Sequence, residues 1–188
     1  MNASYEARLA VALVHHPVVD KNGQTIAAAV TSLDLHDIAR AARTYGADRF
    51  YVTTPLMDQQ ALVASIIDHW VRGAGAHYNP DRRVALDLIR LQPSLQAVRD
   101  DMASLYGRPP QTVVTSARMA DSDIDDAGLR TLVRKGGPLL LIFGTAWGLA
   151  PELIAQADFR LAPIEGRGDY NHLSVRSAVS IILDRVCR

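Results

Sequence analysis

The chain has 188 residues, 48% of them hydrophobic and 21% charged, with no net formal charge at pH 7, a make-up that fits one soluble globular domain able to bury a core without cross-links. One cysteine, Cys187, excludes an intramolecular disulfide framework and a cysteine-based zinc site. Balanced charge argues against a general nucleic-acid coat, yet the cations are 18 Arg against 2 Lys, and arginine suits forked contacts to phosphate or carboxylate.

Leu9 to Val14 is expected as a buried strand ending at His15-His16-Pro17. In an open α/β sheet, ligands bind beyond the carboxyl ends of the strands, so His15 and His16 are candidate substrate contacts. The alternative is a structural histidine bonded to a neighbouring loop. Val18 to Thr25, with Asn22-Gly23 inside it, reads as an excursion with a turn. A helix capped by Thr31 or Ser32 carries Leu35, Ile38, Ala39 and Ala42 at helical spacing and stops at Gly46. Arg49 to Thr53 is a second strand, completing a β-α-β unit expected to be right-handed. Met57 to Arg72 is expected as a helix with Leu62, Ile66 and Trp70 on one face and Gly73 as its stop. Gly73 to Pro80 reads as a flexible connector, either a substrate-side loop or a plain surface loop. From Asp81 to Leu91 the expectation is a helical turn followed by a strand from Ala85. Ser94 to Tyr106 is a helix presenting Leu95, Val98, Met102 and Leu105.

Gly107-Arg108-Pro109-Pro110 breaks the chain, and Gln111 to Thr115 is a strand running into Thr115-Ser116-Ala117 and Arg118. Asp121, Asp123, Asp125 and Asp126 have the density of a calcium loop, but its glycine and closing glutamate are missing, which leaves a solvated, helix-capping face. Ile124 to Lys135 is the next helix. Leu139 to Phe143 is apolar on both faces, as a strand covered on both sides is. It stops at Gly144, and Thr145 to Glu152 is a glycine-bounded turn with Pro151 placed for the first turn of a helix. Phe159 to Ile164 is a short strand, Glu165 to Asn171 a polar loop bearing Gly166 and Gly168, and from His172 a helix runs to the end. No repeat or linker divides the chain. One α/β domain over residues 1–188 is expected, a mostly parallel sheet with helices on both faces. No leader pattern opens it, and no apolar run approaches the roughly 20 residues of a membrane span, so the cytoplasm is the expected address.

The G-x-G-x-x-G, P-loop and G-x-S-x-G fingerprints are absent. Asp34-Leu35-His36-Asp37-Ile38-Ala39-Arg40, continued through Tyr45-Gly46, resembles the first motif of the SPOUT superfamily, the trefoil-knotted RNA methyltransferases. Leu141-Ile142-Phe143-Gly144 with Gly148-Leu149 resembles its second motif. Leu161-Ala162-Pro163-Ile164 through Asn171-His172-Leu173-Ser174-Val175 resembles its third. Thr115-Ser116-Ala117-Arg118 resembles the loop after the first cofactor-lining strand in the tRNA (guanine-N1)-methyltransferase branch.

The resemblance implies a deep C-terminal trefoil knot and S-adenosylmethionine held in a bent shape by three loops. Its implied cofactor residues are Thr115, Ser116 and Ala117 in the first loop and Phe143, Gly144, Thr145 and Gly148 in the second. In the third they are Leu161, Ala162, Ile164, Gly166, Gly168, Asn171, His172 and Leu173. It also implies a homodimer packed through the C-terminal helix, where Leu173, Val179, Ile182 and Leu183 offer apolar surface; the alternative is that these pack inside one chain. The implied reaction is methyl transfer to a base nitrogen or ribose hydroxyl of tRNA or rRNA. A non-catalytic RNA-binding or regulatory module that keeps the S-adenosylmethionine pocket is the alternative. The acceptor must lose a proton, so a base is wanted, and Asp169 in the third loop is the first candidate. Arg40, at the first motif's arginine, could bind a phosphate or stabilise developing charge; Arg118 and Arg176 are further substrate contacts. Asp34 stands where the SpoU-like branch often has asparagine, no residue matches its motif-two glutamate, and His172 takes the place of its motif-three asparagine. The second loop is short and carries Trp147.

Overall fold

The computed structural model describes residues 8–168 and 170–188. The first strand, β1 (Leu9–Val14), is buried throughout and lies in the middle of the sheet. Leu9, Val11 and Leu13 point into one core and Ala10, Ala12 and Val14 into the other, the alternation a strand imposes on its side chains. A small hairpin follows, β2 (Val18–Val19) and β3 (Thr25–Ile26). The Asp20 carboxylate accepts the Asn22 and Gln24 N–H groups in its turn at 2.8 and 2.9 Å.

Helix α1 (Ser32–Thr44) begins where Thr31 accepts the Asp34 N–H, and it buries Leu35, Ile38, Ala39 and Ala42. Next come β4 (Arg49–Thr53), α2 (Met57–Val71), α3 (Ala74–Tyr78), α4 (Pro80–Leu86), β5 (Ile89–Gln92) and α5 (Leu95–Tyr106). The second half supplies β6 (Gln111–Val114), α6 (Asp126–Arg134), β7 (Leu139–Gly144), α7 (Pro151–Ala155), β8 (Phe159–Arg160) and α8 (Val175–Cys187). The six strands run β5-β4-β1-β7-β6-β8, and every neighbouring pair is parallel. Side chains from α1, α2, α4, α6 and α8 fill the core on one face, and those from α5 and α7 the other. Helices on both faces explain the continuously apolar β1 and β7.

Several expectations are corrected. Residues 73–80 are no loose connector: they form α3 and open α4, because Gly75 sits so close under Trp70 that a Cβ there would meet the ring at 2.6 Å. Asn79 then caps α4 by accepting the Arg82 N–H at 2.9 Å. Ala85 and Leu86 are buried from this helix, so the strand starts at Ile89. In α2 the buried residue is Val63, while Leu62 is exposed; so is Leu105 in α5. Ile124 precedes α6, whose cap is Asp125, accepting the Gly128 N–H at 2.8 Å. The strand expected over 159–164 is confined to β8 and a bridge from Leu161 to Ile124. Helix α8 starts at Val175, three residues after His172, because the Ser174 hydroxyl accepts the Ser177 N–H and caps it. Its Val179, Ile182, Leu183 and Val186 are buried where α8 packs on α1 and α6. The apolar face expected to await a partner is therefore largely used within the chain, and of the expected set only Leu173 is exposed.

Candidate active site

At the carboxyl ends of β6 and β7 the backbone turns back rather than outward. The Thr145 N–H and hydroxyl both donate to the Val14 carbonyl, at 3.2 and 3.0 Å. The Thr115 N–H and hydroxyl both donate to the Ile142 carbonyl, each at 3.1 Å. Between them the turn after Gly144 is tight: a Cβ on Gly144 would lie 2.7 Å from the Leu149 nitrogen. Ala146 takes a left-handed φ of 53° and Gly148 a φ of 115°, conformations that cost a residue with a side chain more than glycine. The third loop is tied by Asn171, whose amide donates to the Ile164 carbonyl at 2.9 Å.

These loops surround a cavity of about 580 Å³, within the usual range for a small-molecule site. Its wall includes Thr115, Ser116, Ala117 and Arg118 from the first loop, and Phe143, Gly144, Thr145 and Gly148 from the second. Ala162, Ile164, Asn171, His172 and Leu173 come from the third, with Arg176 from α8. Other expected residues lie elsewhere. Leu161 is buried behind the wall, and Gly166 and Gly168 are not part of it. Arg40 lies in a neighbouring open groove between α1 and α8, which it shares with Asp37, Tyr45 and Arg176. Asp169 lies outside the described residues.

The two histidines do not face the cavity either. His16 is half-buried off its wall, and His15 is fully buried, with neither ring nitrogen meeting a hydrogen-bond partner. Its backbone instead links three segments, its N–H donating to Thr53 and its carbonyl accepting from Ala28. Burial pushes the His15 pKa below its ordinary value, against the opposing pull of the Asp34 carboxylate. A ring so enclosed lacks the access a substrate contact needs.

Sequence reasoning missed the wall contributed by Ala28, Ala29, Thr31 and Asp34, together with Trp147 and Pro163. Asp34 is only 7% exposed, and both its oxygens are occupied. One accepts from the Thr31 hydroxyl at 2.7 Å, the other from Arg176 at 2.8 Å. Arg176 also reaches Asp37, at 3.4 Å. A buried carboxylate is tolerable when paired and hydrogen-bonded in this way, and the pairing fixes the Arg176 guanidinium against the cavity. The signal was available: Asp34 opens the first motif, and a helix N-terminus following β1 must lie near the carboxyl edge of the sheet. Among the described residues, no group of three or more His, Cys, Asp or Glu is placed to hold a metal ion.

Residues 8–188 match the family model described as SAM-dependent RNA methyltransferase. The chain belongs to that family. Its relatives include a tRNA (guanine-N(1)-)-methyltransferase of Oleidesulfovibrio alaskensis, 43% identical over 175 residues, covering 93% of this chain and 41% of that protein. An uncharacterised protein of Aquifex aeolicus is 40% identical over 177 residues, covering 94% of this chain and 86% of its own length. The chain thus spans about two fifths of the length of the named tRNA methyltransferases it matches. Two solved structures share the fold at low identity. The TrmH/SpoU tRNA modifying enzyme of A. aeolicus has a TM-score of 0.58 at 17% identity, over 96% of this chain and 74% of that one. The SpoU methyltransferase AviRb of Streptomyces viridochromogenes in complex with AdoMet has a TM-score of 0.57 at 20% identity, over 97% and 57%. S-adenosylmethionine is the family's cofactor.

Proposed function

We propose that this chain transfers a methyl group from S-adenosylmethionine to a base nitrogen or ribose hydroxyl of tRNA or rRNA. The observation that carries the reading is the convergence of the loops after β6, β7 and β8 on one cavity. The residues present fit the cofactor: Ala28, Thr115, Ser116, Ala117 and Ala162 give the wall small side chains, and at Gly148, where a Cβ would meet nothing within 4 Å, an adenine edge could approach the backbone unobstructed. In this reading Thr115 to Ala117, Phe143 to Thr145, Gly148, Ala162, Ile164 and Asn171 to Leu173 hold it.

Bound S-adenosylmethionine supplies an electrophilic methyl carbon on a sulfonium. The protein must hold the acceptor in line with that carbon, exclude water and remove the acceptor's proton. Asp169 is proposed as the base. Arg118 and Arg176 are proposed for the RNA backbone, with Arg176 held in place by Asp34 and Asp37. Arg40 lies in the groove beside Arg176, and the proposal gives it a phosphate or developing charge contributed at a dimer interface. A homodimer seated on the α1–α8 groove, the threaded C-terminal crossing, a single domain and a cytoplasmic address belong to the same proposal. No described helix is long and apolar enough to cross a membrane.

Calorimetric titration should give binding of S-adenosylmethionine and S-adenosylhomocysteine but not NAD. RNA from a strain lacking the protein should lack one methylated nucleoside by mass spectrometry. Absence of binding by the first two compounds would refute the reading. If Asp169→Ala and Arg40→Ala both leave transfer intact, the assigned roles are wrong; binding without any transfer would favour a regulatory module.

A further inference from the structure

Trp147 lines the cavity yet is 54% exposed. An indole in water forgoes the burial that makes aromatic side chains worth having, so its exposure calls for an occupant. The backbone beneath it is pinned. The Trp147 N–H donates to Val19 at 3.0 Å, Val19 donates back to the Gly148 carbonyl at 2.9 Å, and Gly148 donates to Thr145 at 3.0 Å. Leu149 bridges Val18 just beyond. The ring therefore stands on a fixed stalk, with little ordering cost to meet a ligand. The third loop adds Tyr170, 79% exposed and edge-on to the cavity residue His172 with ring centroids 6.4 Å apart. Arg118 is exposed on the first loop. Aromatic rings interleaved with arginine are what unpaired RNA bases stack upon.

We propose that Trp147 is the stacking platform for an unpaired or flipped-out nucleobase of the RNA substrate, received at the mouth of the cavity. The inference rests on the methyltransferase reading and adds a substrate class to it. A base inside a duplex has both faces covered by its neighbours, so only an unstacked base can lie on the ring. The adenine of the cofactor is the competing occupant, but a ring 54% exposed suits a ligand arriving from outside better than one held between the three loops.

The chain has only two tryptophans, Trp70 and Trp147, so Trp70→Phe makes Trp147 the sole reporter; if that variant fails to fold, the difference between wild type and Trp147→Phe gives the same signal. Acrylamide quenching is measured with S-adenosylhomocysteine, with bulk tRNA, and with a short single-stranded RNA before and after annealing to its complement. Bulk tRNA and the single strand should shield Trp147, the annealed duplex should shield it much less, and S-adenosylhomocysteine alone should not. Trp147→Ala should weaken RNA binding roughly ten- to a hundredfold, leave S-adenosylhomocysteine affinity within about twofold, and be rescued largely by Trp147→Phe. Shielding by S-adenosylhomocysteine, equal shielding by duplex, or RNA affinity unchanged in Trp147→Ala each overturns the platform while leaving the methyltransferase reading standing. If the wild type binds neither RNA, the platform falls together with the RNA reading.

Discussion

One half of the sheet's carboxyl edge is closed and the other is open, although both look polar in sequence. Where β1 and β4 end, His15, Thr53 and Thr54 are wholly buried, and the backbone is stitched across by His15 to Thr53 at 2.9 Å and Thr54 to Gln92 at 3.2 Å. Gln60 seals the corner by donating to the Thr54 carbonyl at 2.8 Å. Where β6 and β7 end, small residues and a turn that folds back on β1 leave a cavity instead. The difference shows that a ligand crevice is set by which loops leave space, and that polar side chains at strand ends do not mark it by themselves.

The sharpest way to break this contrast is to close the open half. Gly144→Ala places a Cβ 2.7 Å from the Leu149 nitrogen and 2.9 Å from the Gly148 carbonyl carbon, backbone atoms that cannot swing aside. The turn must shift, with a cost of about 1–3 kcal/mol in urea unfolding and a roughly hundredfold loss of methyl transfer from the displaced wall. Unchanged activity would mean the turn does not shape the site. Asp34→Ala should act less severely, through Arg176. It strands a half-buried guanidinium whose remaining partner, Asp37, lies at 3.4 Å, so a loss of about 1–3 kcal/mol is expected. KM for RNA should rise, with Asp34→Asn restoring part of the stability, since its amide oxygen can still accept from Arg176 while its NH2 can only donate toward the Thr31 hydroxyl and the charge is lost.

The smallest effect tests the closed half. The folded pKa of His15 is lowered, chiefly by burial, so between its folded and unfolded values the unfolded chain binds more protons. Its contribution to stability is complete above the unfolded pKa and is lost as pH falls through that value toward the lower folded one. His36 is shifted the same way, by burial and then by Arg82. Urea unfolding from about pH 7.5 down to about pH 5 should therefore show falling stability, with His15→Leu removing up to about 1.4 kcal/mol per pH unit of that slope. An unaltered slope would show that His15 is not held neutral by the fold.

Legibility in the sequence followed how local the cause was. The strands β1, β4 and β7 and the start of α1 could be read because burial on two faces and a threonine cap leave their mark within a few residues. The stretch 73–92 could not, because Gly73 and Gly75 suggest slack, whereas Gly75 is there to let Trp70 approach. The three loops were located through motif order, and their residues 115–118, 143–145 and 148 do meet in space. His15, expected as a substrate contact, is enclosed, and Asp34, given no site role, lines the cavity, since whether a polar side chain is enclosed or faces a cavity depends on segments far away in the chain. The apolar stripe of α8 was visible, but not that α1 and α6 would cover it.

The link between β8 and residues 123–124 also bears on how this sheet avoids misassembly. The Asp123 carboxylate takes the Arg160 N–H at 2.8 Å and its guanidinium at 2.9 Å. The Arg160 guanidinium in turn holds that carboxyl down at about 2. The Asp123 and Ile124 N–H groups donate to the Arg160 carbonyl, and Ala162 donates to Ile124. On its other side β8 pairs with β6, where Asp158 and Thr112 exchange hydrogen bonds at 2.7 and 3.0 Å. A two-residue strand is thereby saturated on both flanks, and this end of the sheet offers no ladder to a stray strand. At the opposite end β5 carries Arg90, a charge that discourages pairing. Edge-to-edge joining of copies of this chain is thus disfavoured at both ends of the sheet.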